Sequence, residues 1–404
     1  MTTTPAIDPI NTALELREQI ATHERHVGFF LGAGASMATG LPGLDKLTLT
    51  VAGELREEPK KLFELAQKSL SKNANVEDFL DHLRLLRDLL GKDGSKTYEG
   101  ISGAGAKKLD IAICQVIQKA VSSPDLAKMG AHYALASWIL HVRRDQPIEI
   151  FTTNYDLVIE MAFEKYEVPY FDGFVGTVRP FFVPECVEAD GTKPTEDFYP
   201  PKAWTRLWKL HGSIGLQLEK GSSGSERIVR GGLFPLGPET ELVIYPSREK
   251  YAASRKLPFL SYMDRLREVV NTGEYLLFIV GYSFRDQHLN EILRQGLRSN
   301  TRLAVNAFTH SDPGPELRAL AEAHRNMSVF GPTSACMRGM QGTWTAPSRK
   351  KQPGEEWPFW DETKNRFRLG DFAMFGRFLE LVTSGFVTPT TGLASGSTKP
   401  TGTP

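Results

Sequence analysis

The chain has 404 residues, with 48 basic and 48 acidic side chains and a formal net charge of +0. A balanced charge gives no global field for nucleic acid or an anionic membrane, although a local basic patch is compatible with it. Three cysteines, Cys114, Cys186 and Cys336, stand too far apart for any CxxC pair, which excludes a four-cysteine zinc ribbon, offers no disulfide framework and fits a reducing cytoplasm.

The start, MTTTPAIDPI, does not read as a signal peptide, and a first helical pattern, Ile10 to Thr22, has Leu14, Leu16 and Ile20 on its expected buried side. Residues 1–26 are read as a helical arm beside the first strand, Val27 to Leu31. This strand breaks into Gly32-Ala33-Gly34-Ala35-Ser36 before a helix start. Glycines allow a tight turn and close approach, and amides at a helix N-terminus point at an anion, so the turn suits a phosphate. The same turn also occurs with no ligand.

From Asp45 to about Arg144 apolar residues recur at helical spacing: Leu47, Leu49, Leu55, Leu62 and Leu65, then Val76, Phe79, Leu80, Leu83, Leu86 and Leu90. This is a helical insertion over 45–144, broken at Gly91 to Gly105 and resumed by Lys108 to Val121 and Met129 to Val142.

Strand patterns return at Ile148 to Phe151, followed by Thr152-Thr153-Asn154-Tyr155-Asp156 and a helix, Leu157 to Lys165. Leu207 to Leu210 runs into His211-Gly212-Ser213, and Glu219 to Gly232 reads as a loop. A strand, Leu242 to Pro246, and a helix, Phe259 to Asn271, come next. The longest apolar run, Tyr275 to Val280, leads into Gly281-Tyr282-Ser283-Phe284-Arg285-Asp286. It is far short of the roughly 20 residues that cross a bilayer, so a soluble cytoplasmic protein is expected. A helix, Gln287 to Leu297, and a strand, Arg302 to Phe308, complete the alternation. The expected fold is α/β, a Rossmann-like doubly wound parallel sheet with a large helical insertion and no zinc ribbon. Ligands bind such sheets at the carboxyl ends of the strands. GAGAS, TTNYD, KLHGS and GYSFRD each follow an apolar strand directly, so all four are expected to line one crevice.

Met340 to Asp371 combines tryptophans (Trp344, Trp357, Trp360) with Arg349, Lys350 and Lys351. It reads as a C-terminal extension, 335–382, wrapped on the domain, or as a surface for a partner or a nucleic-acid backbone. Threonine, glycine, serine and proline dominate 383–404, a composition typical of disorder.

These motifs resemble the sirtuins. Gly32-Ala33-Gly34-x-Ser36-x-x-Thr39-Gly40-Leu41-Pro42 is similar to the NAD-binding opening of that family. Thr152 to Asp156 resembles its T-Q-N-I-D element, with Thr153 for glutamine and Tyr155 for isoleucine, and Lys209 to Ser213 resembles the element with the catalytic histidine. Gly281-x-Ser283 resembles the late G-T-S element, and the order is the sirtuin order over about residues 27 to 310. Two departures weigh against acyl-lysine chemistry: the four-cysteine zinc module is absent, and Gly43-Leu44-Asp45 stands where deacylases have a phenylalanine–arginine pair. FTTNYD, LxKLHGS, the segment Ile244 to Tyr251 and GYSFRDxHLNEIL look instead like the sirtuin-like NAD hydrolases of bacterial anti-phage defence, and among them the subunit that acts with a HerA-type ATPase.

The resemblance implies NAD⁺ as substrate, with no metal. Asn154, whose amide both donates and accepts, would position ribose and a water, and His211 would be the general base. Gly32, Ala33, Gly34 and Ser36 would cradle the pyrophosphate, and Thr153 would line the cofactor site. Asp156 would accept from the nicotinamide carboxamide, cap the next helix, or both. Gly281 and Ser283 would approach phosphate or the adenine ribose. Asp286 would accept a ribose hydroxyl or cap a helix, Arg285 would face phosphate or solvent, and His288 would lie near the adenosine or pack. Tyr245 and Tyr251 receive no role. The helical insertion suggests a homo-oligomer, gated by assembly or by the ATPase. The competing readings are a deacylase or ADP-ribosyltransferase, and a non-catalytic nucleotide-binding subunit.

Overall fold

The computed structural model describes residues 5–22, 25–91, 94–142, 144–188, 200–220, 226–231, 240–244 and 258–384. The segment Pro246 to Tyr251, with Tyr245 before it, and the tail beyond Ser384 lie outside the described residues.

Its centre is a ten-stranded sheet. From Met327–Phe330 the strands run side by side through Leu303–Phe308, Tyr275–Val280, His26–Leu31, Glu149–Thr152 and Thr205–Lys209 to Tyr170–Phe171, all parallel. Ser334–Met337 and Met340–Trp344 extend the other edge antiparallel, and Ala6–Ile7 completes it. The first strand of the parallel set, His26–Leu31, is central: the chain builds outward on one side through Thr205–Lys209, then returns to the other side at Tyr275–Val280. That reversal makes the sheet doubly wound and opens a crevice at the strand ends.

Side-chain alternation builds two cores. Val27, Phe29 and Leu31 join Leu276, Phe278 and Val280 on one face, under helices Pro9–Ala21, Gly130–His141, Val158–Lys165 and Phe372–Ser384. Phe30 joins Tyr275, Leu277 and Ile279 on the other, under Pro258–Asn271, Gln287–Ser299 and Pro315–Ala323. Burial on both faces explains why these strands read as continuous apolar runs.

The helical insertion contains Leu44–Glu54, Glu57–Ser69, Val76–Leu90 and Gly103–Val121. Phe63 and Phe79 stack at 4.2 Å within it. Buried charges tie it together. Arg84 donates to Asp110 at 3.0 and 3.1 Å, and Arg87 bridges Asp110 at 2.7 Å to Glu241 at 2.9 Å.

Several local expectations need correction. Leu14 and Leu49 are 39% and 74% exposed, because each helix buries a narrower face than its apolar stripe. The glycine-rich break holds a short hairpin, Thr97–Tyr98 with Ile101–Ser102, and the next helix starts at Gly103, capped by Ser102. The expected loop at Glu219 is instead the arm of a hairpin, Gly212–Lys220 with Glu226–Arg230; its polar Gly/Ser run masked the short apolar pair Ile228 and Val229. Glu241–Ile244 joins that hairpin, Phe181–Phe182 and Phe174–Val175 in a separate five-stranded antiparallel sheet. Trp357 and Trp360 are buried, and Trp344 stacks on Phe367 at 4.3 Å, so the tryptophans of the C-terminal segment face the domain. Among the described residues no helix is long and apolar enough to cross a membrane.

Candidate functional site

Four strands end on one row. Leu31 is in register with Val280 on one side and with Thr152 on the other, and Thr152 is in register with Lys209. GAGAS, GYSFRD, TTNYD and LHGS therefore leave the sheet at the same level, as the sequence pattern predicts.

The first two turns interlock through backbone. Gly32 N donates to Val280 O at 3.0 Å and Gly34 N to Gly281 O at 2.9 Å. Gly281 has φ +69, and a Cβ there would lie 2.6 Å from Ala35 N; a Cβ on Gly32 would lie 2.5 Å from Gly281 O. These glycines fit the turns to each other, a use beyond the expected approach to phosphate. Ala33 is exposed at the start of the short helix Ala33–Met37, and Gly34 is half-buried beside it.

Ser36 points inward. Its hydroxyl donates to Asp156 Oδ2 at 2.6 Å and accepts from Asn154 Nδ2 at 2.7 Å, and the same Nδ2 donates to Gly32 O at 3.0 Å. The amide of Asn154 is thus fixed by two acceptors, and no hydrogen bond to its Oδ1 is formed among the described residues. The N-cap of the following helix is neither Asn154 nor Asp156 but Leu157, with no side-chain cap; Asp156, one residue earlier, accepts from Val158 N at 3.0 Å. With Ser36 on its other oxygen, Asp156 is occupied on both. Thr153 is half-buried, its amide bonded to Leu31 O at 3.3 Å.

Lys209 is buried. Its ammonium donates to Asp156 O and, at 2.8 Å, to Glu160, whose carboxyl is pushed up by burial against the pull of Lys209. The next residues turn sharply. Gly212 has φ +83, and a Cβ there would meet Val243 O at 2.2 Å, so only glycine lets the chain pass from His211 into the antiparallel sheet.

His211 is 7% exposed. Its Nε2 lies 3.1 Å from Asp286 Oδ2, and its Nδ1 forms an ion pair with Glu77 Oε1 at 3.6 Å. Burial opposes the charge on the ring, but Asp286 and Glu77 together outweigh it and push the imidazole up to about 9. Asp286 fulfils the capping alternative as well, accepting from His288 N and Leu289 N at 2.9 and 3.1 Å. Burial raises its carboxyl, and His211 more than offsets this and holds it below the usual range. Phe284 has φ 56, a costly conformation for a non-glycine residue, and Asn290 Nδ2 holds its carbonyl at 2.7 Å.

Ser283 is exposed on the rim. Arg285 is also exposed, 3.8 Å from Asp45, which matches its solvent-facing alternative. His288 is exposed beside Arg267 and does not pack as expected.

Glu77 belongs to none of the four strand-end motifs. It sits in the first turn of Val76–Leu90, fixed by the reciprocal Asn75–Asp78 capping box, and Tyr155 OH donates to its Oε1. The capping box in the sequence could have located the helix start; nothing local shows that it faces His211.

The cysteines lie singly on separate elements: Cys114 in Gly103–Val121, Cys186 in Glu185–Glu188 and Cys336 in Ser334–Met337. Among the described residues no group of three or more His, Cys, Asp or Glu is arranged to hold a metal ion.

A family model described as a SIR2-like domain matches residues 148–330. The match spans TTNYD, KLHGS and GYSFRD, and it supports a sirtuin-like protein with an NAD-related activity. No curated protein matches the chain.

Proposed function

We propose that the protein hydrolyses NAD⁺ to nicotinamide and ADP-ribose. One observation supports this reading above the others: Asn154 is held by Gly32 O and Ser36 Oγ with its amide oxygen left to accept, at the row of strand ends that also carries His211. The nicotinamide–ribose bond is already activated, because the leaving group departs as a neutral pyridine. The protein has to hold the dinucleotide, favour an oxocarbenium-like transition state and admit a water. Asn154 Oδ1 is suited to orient a ribose hydroxyl or that water. His211 would take the proton once its own ring is neutral. Gly32, Ala33, Gly34, Gly281 and Ser283 would approach the pyrophosphate and adenine ribose, with Thr153, Asp156 and Asp286 as further candidates for the nucleotide site.

Unrestrained hydrolysis of NAD⁺ would poison its host, so the activity is read as a gated defence response. Leu49, Leu89 and Tyr98, exposed by 74%, 71% and 52% on the helical insertion, support an assembly surface for further copies or for a HerA-type ATPase. Purified protein, alone and with such an ATPase, is expected to release nicotinamide from NAD⁺ without an acylated peptide. Asn154→Ala and His211→Ala should each lower the rate by about 100-fold or more. Unchanged rates in both variants would reject the mechanism, and NAD⁺ consumption only with an acyl-lysine or acceptor protein would move the protein to the deacylases or transferases.

A further inference from the structure

The helical insertion reaches His211 through Glu77. Glu77 lies at the N-terminal end of Val76–Leu90, its carboxylate 3.6 Å from His211 Nδ1, while Asp286 faces Nε2 at 3.1 Å. A neutral imidazole has one N–H, so both contacts are attractive together only for the doubly protonated ring. A ring in that state has no lone pair with which to take a proton.

The two carboxylates are anchored differently. Asp286 is pinned by two amides to the helix that follows a central strand. Glu77 goes wherever its helix goes. That helix is braced at its far end by Arg87, which bridges Asp110 and Glu241, and at its near end by Val76 N on Thr48 Oγ1 at 3.0 Å. The phenol of Tyr155, from the turn that carries Asn154, donates to the same Glu77 oxygen.

We propose that Glu77 is a positioning residue through which the insertion controls His211: with the helix seated, the imidazole is clamped between Glu77 and Asp286 and closed as a base, and withdrawal of Glu77 opens it. This rests on the reading of His211 as the base. The charged groups that face the ring include Glu77 from the insertion and Asp286 from the GYSFRD turn, with the Tyr155 phenol on Glu77. Tyr282 feels both carboxylates, and Asp156 lies on the neighbouring turn, where Ser36 and Val158 hold it.

The test is an NMR titration of the His211 ring in the full-length protein, assigned with His211→Ala, beside the pH profile of nicotinamide release. Glu77→Gln should lower the ring's midpoint by about one unit or more and shift the rise of turnover with pH by the same amount, giving roughly tenfold faster release at neutral pH. Tyr155→Phe, which keeps the ring volume and removes the donor on Glu77, should move the midpoint the opposite way. A midpoint unmoved by Glu77→Gln overturns the proposal, as does a midpoint that moves while the pH profile stays fixed. Release abolished by His211→Ala yet indifferent to Glu77→Gln keeps hydrolysis and rejects the clamp. A shifted midpoint in a protein that releases nicotinamide at no pH upholds the clamp on the ring and rejects hydrolysis.

Discussion

The strand-end turns and the helical insertion both contribute to the surroundings of His211, and they are held in opposite ways. The turns are set by backbone against backbone: Gly32 on Val280, Gly34 on Gly281, Leu210 N on Thr152 O at 2.8 Å. The insertion is set by side chains: its apolar residues run into the core under the sheet, and Arg84, Arg87 and Asp110 meet in its interior. Backbone contacts hold the turns on a fixed sheet. The ion pairs are the insertion's polar key, and a gate at His211 would act through this side-chain packing rather than through the backbone of the turns.

The largest effect should come from breaking that key. Asp110 is buried between two guanidinium groups; burial raises its carboxyl, and Arg84 and Arg87 outweigh this and hold it below the usual range. Asp110→Ala leaves Arg84 buried beside a second cation and should cost about 3–5 kcal/mol in chemical denaturation. A depressed carboxylate contributes stability above its unfolded value and loses it as pH falls, so the deficit should shrink in acid. A cost under about 1 kcal/mol would mean that packing such as Phe63 on Phe79 carries the insertion instead.

The turns should be nearly as sensitive for another reason. Gly281→Ala forces a Cβ to within 2.6 Å of Ala35 N at φ +69. The strain and overlap should cost about 2–3 kcal/mol, read as a lower thermal midpoint together with weaker NAD⁺ binding. A stable variant that still binds would show that the two turns can separate, and the contrast with the insertion would fall.

This contrast also divides what the sequence makes legible. Strands buried on both faces appear as apolar runs, and glycines mark the tight turns after them, so the four polar clusters could be placed at one edge from spacing alone. Glu226–Arg230 does not stand out, because Ile228 and Val229 are buried on opposite faces of a short strand bounded by Gly and Ser, which leaves no apolar/polar alternation to read. Glu77 is hidden for a deeper reason: its partner is 134 positions away, and only the packed insertion brings the two together. The inward hydroxyl of Ser36 was equally hidden, since a serine in a glycine turn serves a phosphate or a neighbouring side chain with the same atoms.

Ser36 supplies the smallest and most discriminating effect. Its hydroxyl gives one hydrogen bond to Asp156 and takes one from Asn154. Ser36→Ala should cost only about 1–2 kcal/mol of stability. Asn154 keeps Gly32 O as its remaining acceptor, so its amide can swing, and Asp156 loses a donor. If Ser36 orients Asn154, the variant should lower kcat for nicotinamide release by about tenfold with little change in KM, because the orientation matters most in the transition state. If Ser36 instead cradles the pyrophosphate, as the glycine turn alone suggests, KM should rise while kcat holds. Measuring both constants on the same preparation separates the two roles.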